Sequence, residues 1–159
     1  MTIIFIPMET AAVRALQAGG RDSYGHTPER CLSNGHGIPC RHCLDFVPEG
    51  ESYLVLAHRP FEGVHPYTET GPVFLCARPC EAGGGKRLPA FLDSPSYILR
   101  GYDAGERILY GTGAVTPTDE IVKRSEDLLA REDVAFVHIR SASNNCFHCR
   151  VERGPDATL

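Results

Sequence analysis

The chain has no long apolar run, no surplus of positive charge and none of the compact catalytic motifs that name a reaction. No segment approaches the ~20 apolar residues that a membrane-spanning helix needs, and the opening Met1–Pro7 has neither the basic residues nor the apolar length of a secretory signal. A cytoplasmic protein with no membrane partner is expected. Sixteen Lys and Arg stand against twenty Asp and Glu, a net charge of −4, so a nucleic-acid surface is not expected either. No Ser/His/Asp set, His-Glu-x-x-His or paired-carboxylate motif is present. Gly83-Gly84-Gly85-Lys86 lacks the spacing and the strand-to-helix setting of a phosphate loop and is expected to be a flexible connection. Gly111-Thr112-Gly113 sits inside a strand pattern rather than opening a helix.

What the chain does have is cysteine: seven in 159 residues. In a reducing compartment these are thiols, metal ligands or redox groups rather than a disulfide framework, and an odd number cannot pair completely. At this length one domain spanning 1–159 can bury a core without disulfides.

The apolar pattern predicts a strand over Ile3–Ile6 and a helix over Glu9–Ala18 ended by Gly19-Gly20, with Thr10 as a possible cap. A loop over Arg21–Pro39 follows, then a hairpin of Arg41–Phe46 with Tyr53–His58. A strand over Val73–Ala77, a flexible segment to Pro89 and a second hairpin of Tyr97–Asp103 with Arg107–Val115 come next. A helix over Thr118–Ala130, capped by Thr116 or Thr118, leads to strands over Val134–Ser141 and Cys146–Arg153 and a frayed tail over 154–159. The order predicts an α+β fold, one domain with a mainly antiparallel, curved sheet and two helices.

Two segments share one pattern: Cys40-Arg41-His42-Cys43 and Cys146-Phe147-His148-Cys149. Three readings of them stand open. Cys40, Cys43, Cys146 and Cys149 can form a four-thiolate zinc site, since each pair supplies two thiolates to a tetrahedron. Against this, roughly 100 residues separate the pairs, and Leu44 and Arg150 stand where a metal knuckle usually has a residue tolerant of positive φ. Alternatively, the flanking Arg and His residues favour thiolate, and Cys40 or Cys146 acts in nucleophilic or redox chemistry. Or the cysteines only pack, in a non-catalytic binding domain. Cys31, Cys76 and Cys80 are taken as structural, Cys76 as core.

Strand alternation aligns Ile98, Arg100 and Tyr102 on one face and Phe136, His138 and Arg140 on another, which Arg41 and Tyr67 can join. Arginines in apolar strands need carboxylates or a ligand. This face is either a pocket for a small anionic ligand, with His138 for acid/base work, or a set of internal ion pairs to Asp45, Glu51, Asp103 or Glu152 on a solvated sheet face.

Four blocks carry a resemblance: Pro39-Cys40-Arg41 with Leu44 and Pro48-Glu49-Gly50-Glu51; His65-Pro66-Tyr67 with Gly71-Pro72-Val73-Phe74; Leu99-Arg100-Gly101-Tyr102-Asp103; and Val137-His138 running to Asn145-Cys146-Phe147 and Arg153. Over about 38–153 the chain resembles the bacterial domain-of-unknown-function family 1203, as a member of a subgroup with two Cys-x-x-Cys pairs. The resemblance implies no activity. It implies a shared role for Cys40 and Cys146, and it raises Arg41, Tyr67, Arg100, Tyr102 and His138 as site residues. The expectation is therefore a small cytoplasmic bacterial protein that binds zinc through Cys40, Cys43, Cys146 and Cys149. The alternatives are a thiol enzyme acting on a small anion beside an Arg/His pocket, and a plain binding domain.

Overall fold

A computed structural model describes residues 1–155; of the tail expected to fray, 156–159 lie outside the described residues. The elements run β1 (Ile3–Ile6), α1 (Thr10–Gln17), β2 (Glu29–Leu32), β3 (Ser52–His58), β4 (Gly71–Cys76), β5 (Ser96–Tyr102), β6 (Ala114–Pro117), α2 (Ile121–Leu129), β7 (Phe136–Ser141) and β8 (Phe147–Arg153). They build two antiparallel sheets, one of five strands in the order β1-β8-β7-β5-β6 and one of three in the order β2-β3-β4. The α+β expectation holds.

α2 follows from its sequence. Ile121, Ser125, Leu128 and Leu129 fall on one stripe and are all buried. Each of the three apolar side chains contributes roughly 1.5–3 kcal/mol by leaving water. They pack on Ile3, Phe5, Leu99, Val137, Ile139, Cys149 and Val151 of the large sheet. α1 brings Val13 and Leu16 to Leu54, Leu56, Val73 and Leu75 of the small sheet.

β7 is buried along both faces. Val137 and Ile139 belong to the core that α2 covers, whereas Phe136 lies in a separate cluster with Phe61 and Tyr102. The pairing places Arg100 opposite His138 and Tyr102 opposite Phe136, as alternation expects.

Four expectations are corrected. Arg41–Phe46 is a tight turn with only isolated bridges, and the partner of β3 is instead Glu29–Leu32. Arg107–Val115 is broken, because the Thr112 hydroxyl rather than a partner strand takes the Gly101 N–H, and pairing resumes only at Ala114. Thr10 caps no helix: Glu9 holds that position. Pro117 rather than Thr116 or Thr118 precedes the short 3-10 turn that leads into α2, and the Thr118 hydroxyl goes to the Ser94 carbonyl.

Candidate metal centre and the cavity beside it

The turn after Pro39 forms because Leu44 takes φ 58° and its N–H closes onto the Cys40 carbonyl at 3.0 Å. This is the left-handed conformation that the knuckle reading requires, adopted here by a leucine. Such a conformation costs a non-glycine residue ~1–2 kcal/mol, and Leu44 remains in it with only 3% of its surface exposed, packed in the main core.

The turn brings Cys40 and Cys43 to Cys76, the last residue of β4, and to Cys80 in the following loop. One ligand atom from each lies within 4.8 Å of all the others, and the four could hold a metal ion. The Cys40 and Cys80 sulfurs are 3.9 Å apart and those of Cys43 and Cys76 are 4.0 Å apart. For four thiolates at about 2.3 Å from a tetrahedral zinc, geometry puts the sulfurs about 3.8 Å apart. No disulfide links any of the seven cysteines.

The protonation pattern suits a cation. Hydrogen bonds from Cys43 and Cys76 hold the Cys40 thiol far below its ordinary range. The same bond to Cys40 pushes Cys43 up to about 12, and Cys76 is raised too. Burial raises Cys80. One negative charge is therefore favoured and further ones are opposed, until a divalent ion inverts the balance.

An outer shell holds the loop. The Cys76 N–H donates to Cys40 Sγ at 3.3 Å. His42 Nδ1 is 3.1 Å from Cys80 Sγ and its Nε2 is 2.9 Å from Thr10 Oγ1. With the proton on Nδ1, the imidazole donates to the sulfur and accepts from the hydroxyl. Burial, the largest cause, holds His42 below its usual range. From α1, Arg14 donates to the Cys80 carbonyl at 2.6 Å, and Gln17 to those of Cys76 and Arg78 at 2.9 Å each.

The glycine run is ordered rather than flexible. Gly83 donates to the His42 carbonyl at 2.8 Å, and Gly85 exchanges backbone bonds with Phe5. A Cβ on Gly83 would stand 2.0 Å from the Cys43 carbonyl oxygen, so only glycine fits there.

Cys146 and Cys149 are not members of this group. Cys149 pairs with Ile139 in the main core, and burial raises its thiol to about 12. Cys146 is half-buried and lines two cavities. The two Cys-x-His-Cys segments do meet, though through Arg41: its Nε donates to the Phe147 carbonyl at 2.8 Å. A bulge in β8 shifts the pairing so that Arg140 faces Phe147 and Ile139 faces Cys149. Phe147 and Cys149 therefore lie on opposite faces, contrary to simple alternation. The Phe147 ring packs on His138 with centroids 4.8 Å apart.

The first cavity, of about 360 Å³, lies between the end of β3 and the β7–β8 turn. His58, Glu69, Arg140, Asn145 and Cys146 are among its walls. Glu69 Oε2 bridges Arg100 at 2.9 Å and Arg140 at 3.0 Å, so these arginines are ion-paired, though to Glu69 and not to Asp45, Glu51, Asp103 or Glu152, the partners expected from the sequence. Arg100 also donates to the Tyr102 hydroxyl at 2.9 Å. Tyr67 sits apart, its hydroxyl 3.1 Å from that of Tyr110. His138 is fully buried among Phe61, Tyr102, Phe136 and Phe147, and neither ring nitrogen has a hydrogen-bond partner. Burial first, then Arg140, Arg150 and Arg100, push it well below its usual range, so it is neutral near pH 7. Cys40 has no exposed surface, which shields it from any substrate.

Sequence reasoning missed Cys76, Cys80 and Gly83. The available signal was Cys76-Ala77-Arg78-Pro79-Cys80, a second closely spaced pair following a strand only 33 residues after Cys43.

Fold and site together define a two-sheet α+β protein with a half-buried four-thiol cluster that could hold a metal ion. The chain belongs to the family described as Protein of unknown function (DUF1203), whose model matches residues 37–153. No curated protein and no solved structure matches it.

Proposed function

We propose that the protein binds one zinc ion through Cys40, Cys43, Cys76 and Cys80, and that the ion is structural, fixing the 40–44 turn against β4 and α1. The observation that carries this reading is the clustering of four sulfurs within 4.8 Å at separations close to a tetrahedron's edges. A structural role fits a closed set of four protein ligands, two of them with no more than 8% of their surface exposed. Seven unpaired thiols support a reducing compartment such as the cytoplasm. Among the described residues, no helix is long and apolar enough to cross a membrane.

The ion also gives the turn a purpose. With Cys40 and Cys43 held, the two residues between them point to opposite jobs: His42 returns to Cys80, and Arg41 reaches β8. Elemental analysis of protein purified without a metal-affinity tag tests the reading. About one zinc per chain, with four thiols protected until chelation, is expected; metal-free protein whose thiol reactivity does not change on chelation would overturn it.

A further inference from the structure

Arg41 is 2% exposed and makes no ion pair among the described residues. Its side-chain bonds go to two backbone carbonyls, Nε to Phe147 and Nη1 to Pro39, both at 2.8 Å. Two of its five N–H groups are thereby committed, and three remain. The side chains whose charge would act on it are Cys146, Cys149, Cys40 and Tyr97, thiols and a phenol with no carboxylate among them. The Cys40 thiolate is a nearby negative charge, yet no carboxylate pairs with the guanidinium, and a buried arginine so placed is unfavourable unless the site exists to receive one.

Arg41 lines the second cavity, of about 220 Å³, below the range usual for drug-sized ligands. Its walls combine the rings of Phe74, Phe91 and Tyr97 with the polar groups of Ser143, Asn144 and Cys146. His148 closes one side, packed at a tilt on Phe91 and edge-on to Tyr97 at centroid distances of 5.3 Å, its Nδ1 donating to the Cys146 carbonyl at 3.1 Å. Burial and the Arg41 charge bring its pKa to about 4, which leaves Arg41 as the cation of this cavity near pH 7. Asp93 also borders the cavity, without an ion pair to Arg41. By contrast, the cation that lines the neighbouring cavity, Arg140, already has Glu69.

We propose that this cavity binds a small aromatic monocarboxylate, its carboxylate on Arg41, its ring against Phe74, Phe91 and Tyr97, and Cys146 alongside. One guanidinium with part of its fork already used suits a single negative charge, and the ring-lined walls suit a planar apolar body. A phosphate dianion would be only half neutralised and would leave the aromatic walls unfilled. The site rests on the turn that holds Arg41, whichever ion the thiols take, and benzoate binding is read separately from bound zinc, so failure of one reading is distinguishable from failure of the other.

Benzoate, benzamide and inorganic phosphate are the probes, applied to the full chain. Binding is read by calorimetry, and iodoacetamide alkylation is resolved by peptide, with Cys31 on β2 as the internal reference. Benzoate is expected to bind one per chain, with benzamide and phosphate much weaker. At ten times the benzoate Kd, alkylation of Cys146 should fall about tenfold while that of Cys31 is unchanged. Equal binding of benzoate and benzamide would remove the role of Arg41. Benzoate binding that leaves Cys146 unprotected would place the site elsewhere. Phosphate binding as tightly as benzoate, or no binding by any probe, would also overturn the proposal. Arg41→Gln should abolish benzoate binding; if that variant fails to fold, the benzoate and benzamide comparison on the unaltered protein still decides.

Discussion

Arg41 Nε donates to the Phe147 carbonyl at 2.8 Å, and this bond joins the two Cys-x-His-Cys segments of the chain. The first segment divides its labour between the candidate metal cluster and a cavity. The second supplies the cavity's thiol, an imidazole packed on its rings and a core cysteine. The consequences of that division can be measured.

Chelation should unfold or strongly destabilise the protein. Without the cation Cys43, Cys76 and Cys80 take up protons and no longer tie the turn to β4, and structural metal binding is coupled to folding. A loss of several kcal/mol in urea midpoint titrations is expected after treatment with a strong chelator, restored by added zinc. An unchanged midpoint would contradict a structural ion.

His42→Phe should weaken metal binding while leaving the fold in place. It removes the donor to Cys80 Sγ and leaves the Thr10 hydroxyl unpaired. A drop of about 10- to 100-fold in zinc affinity, from competition with a chromophoric chelator, is the expected size for an outer-shell partner. Thr10→Val should give a smaller drop in the same direction.

Gly83→Ala should cost more than about 2 kcal/mol, because its methyl group would overlap the Cys43 carbonyl oxygen and neither backbone can withdraw freely. Thermal melting checks this, with Gly37→Ala for comparison; there the added methyl meets nothing within 4 Å, and only the φ of 67° opposes it. Equal losses at the two positions would show that the close approach does not matter.

Acid should destabilise the protein in part through His148. Burial, then the charge of Arg41, lowers its folded-state pKa to about 4, against 6.5 for a free imidazole. The unfolded chain therefore takes up the proton first, so stability is full above about pH 6.5 and falls as the pH drops toward 4, by roughly 3 kcal/mol for this group. His58, also at about 4 from burial and Arg41, adds a second contribution of the same sign. His148→Phe keeps an aromatic ring against Phe91 and Tyr97 and removes one titration. Its stability relative to the unaltered protein should rise between pH 6.5 and 4.5; a constant difference would refute the assignment.

Much of the face that borders the cavities was legible from alternation alone. Arg100, Tyr102, Phe136, His138 and Arg140 lie where a period of two puts them, and the arginines carry the carboxylate partner that buried charge demands, in Glu69. The metal set was half legible. Cys40 and Cys43 announce themselves by spacing, whereas Cys76 ends an apolar strand and looks like core, which it also is. The turn that unites them was hidden because it sets a leucine at positive φ, against local preference, with burial in the main core and the cysteine cluster around it to hold it there. The bulge at His148 was equally hidden: it depends on how β8 meets β7, which no local pattern records.

The measurement that most directly tests the central claim is bound zinc per chain in two double variants, Cys76→Ser with Cys80→Ser and Cys146→Ser with Cys149→Ala. The account predicts that the first loses the ion and the second keeps about one per chain, despite some loss of stability from the altered core at Cys149. Zinc retained in the first and lost in the second would place the metal between the two Cys-x-His-Cys segments and contradict it.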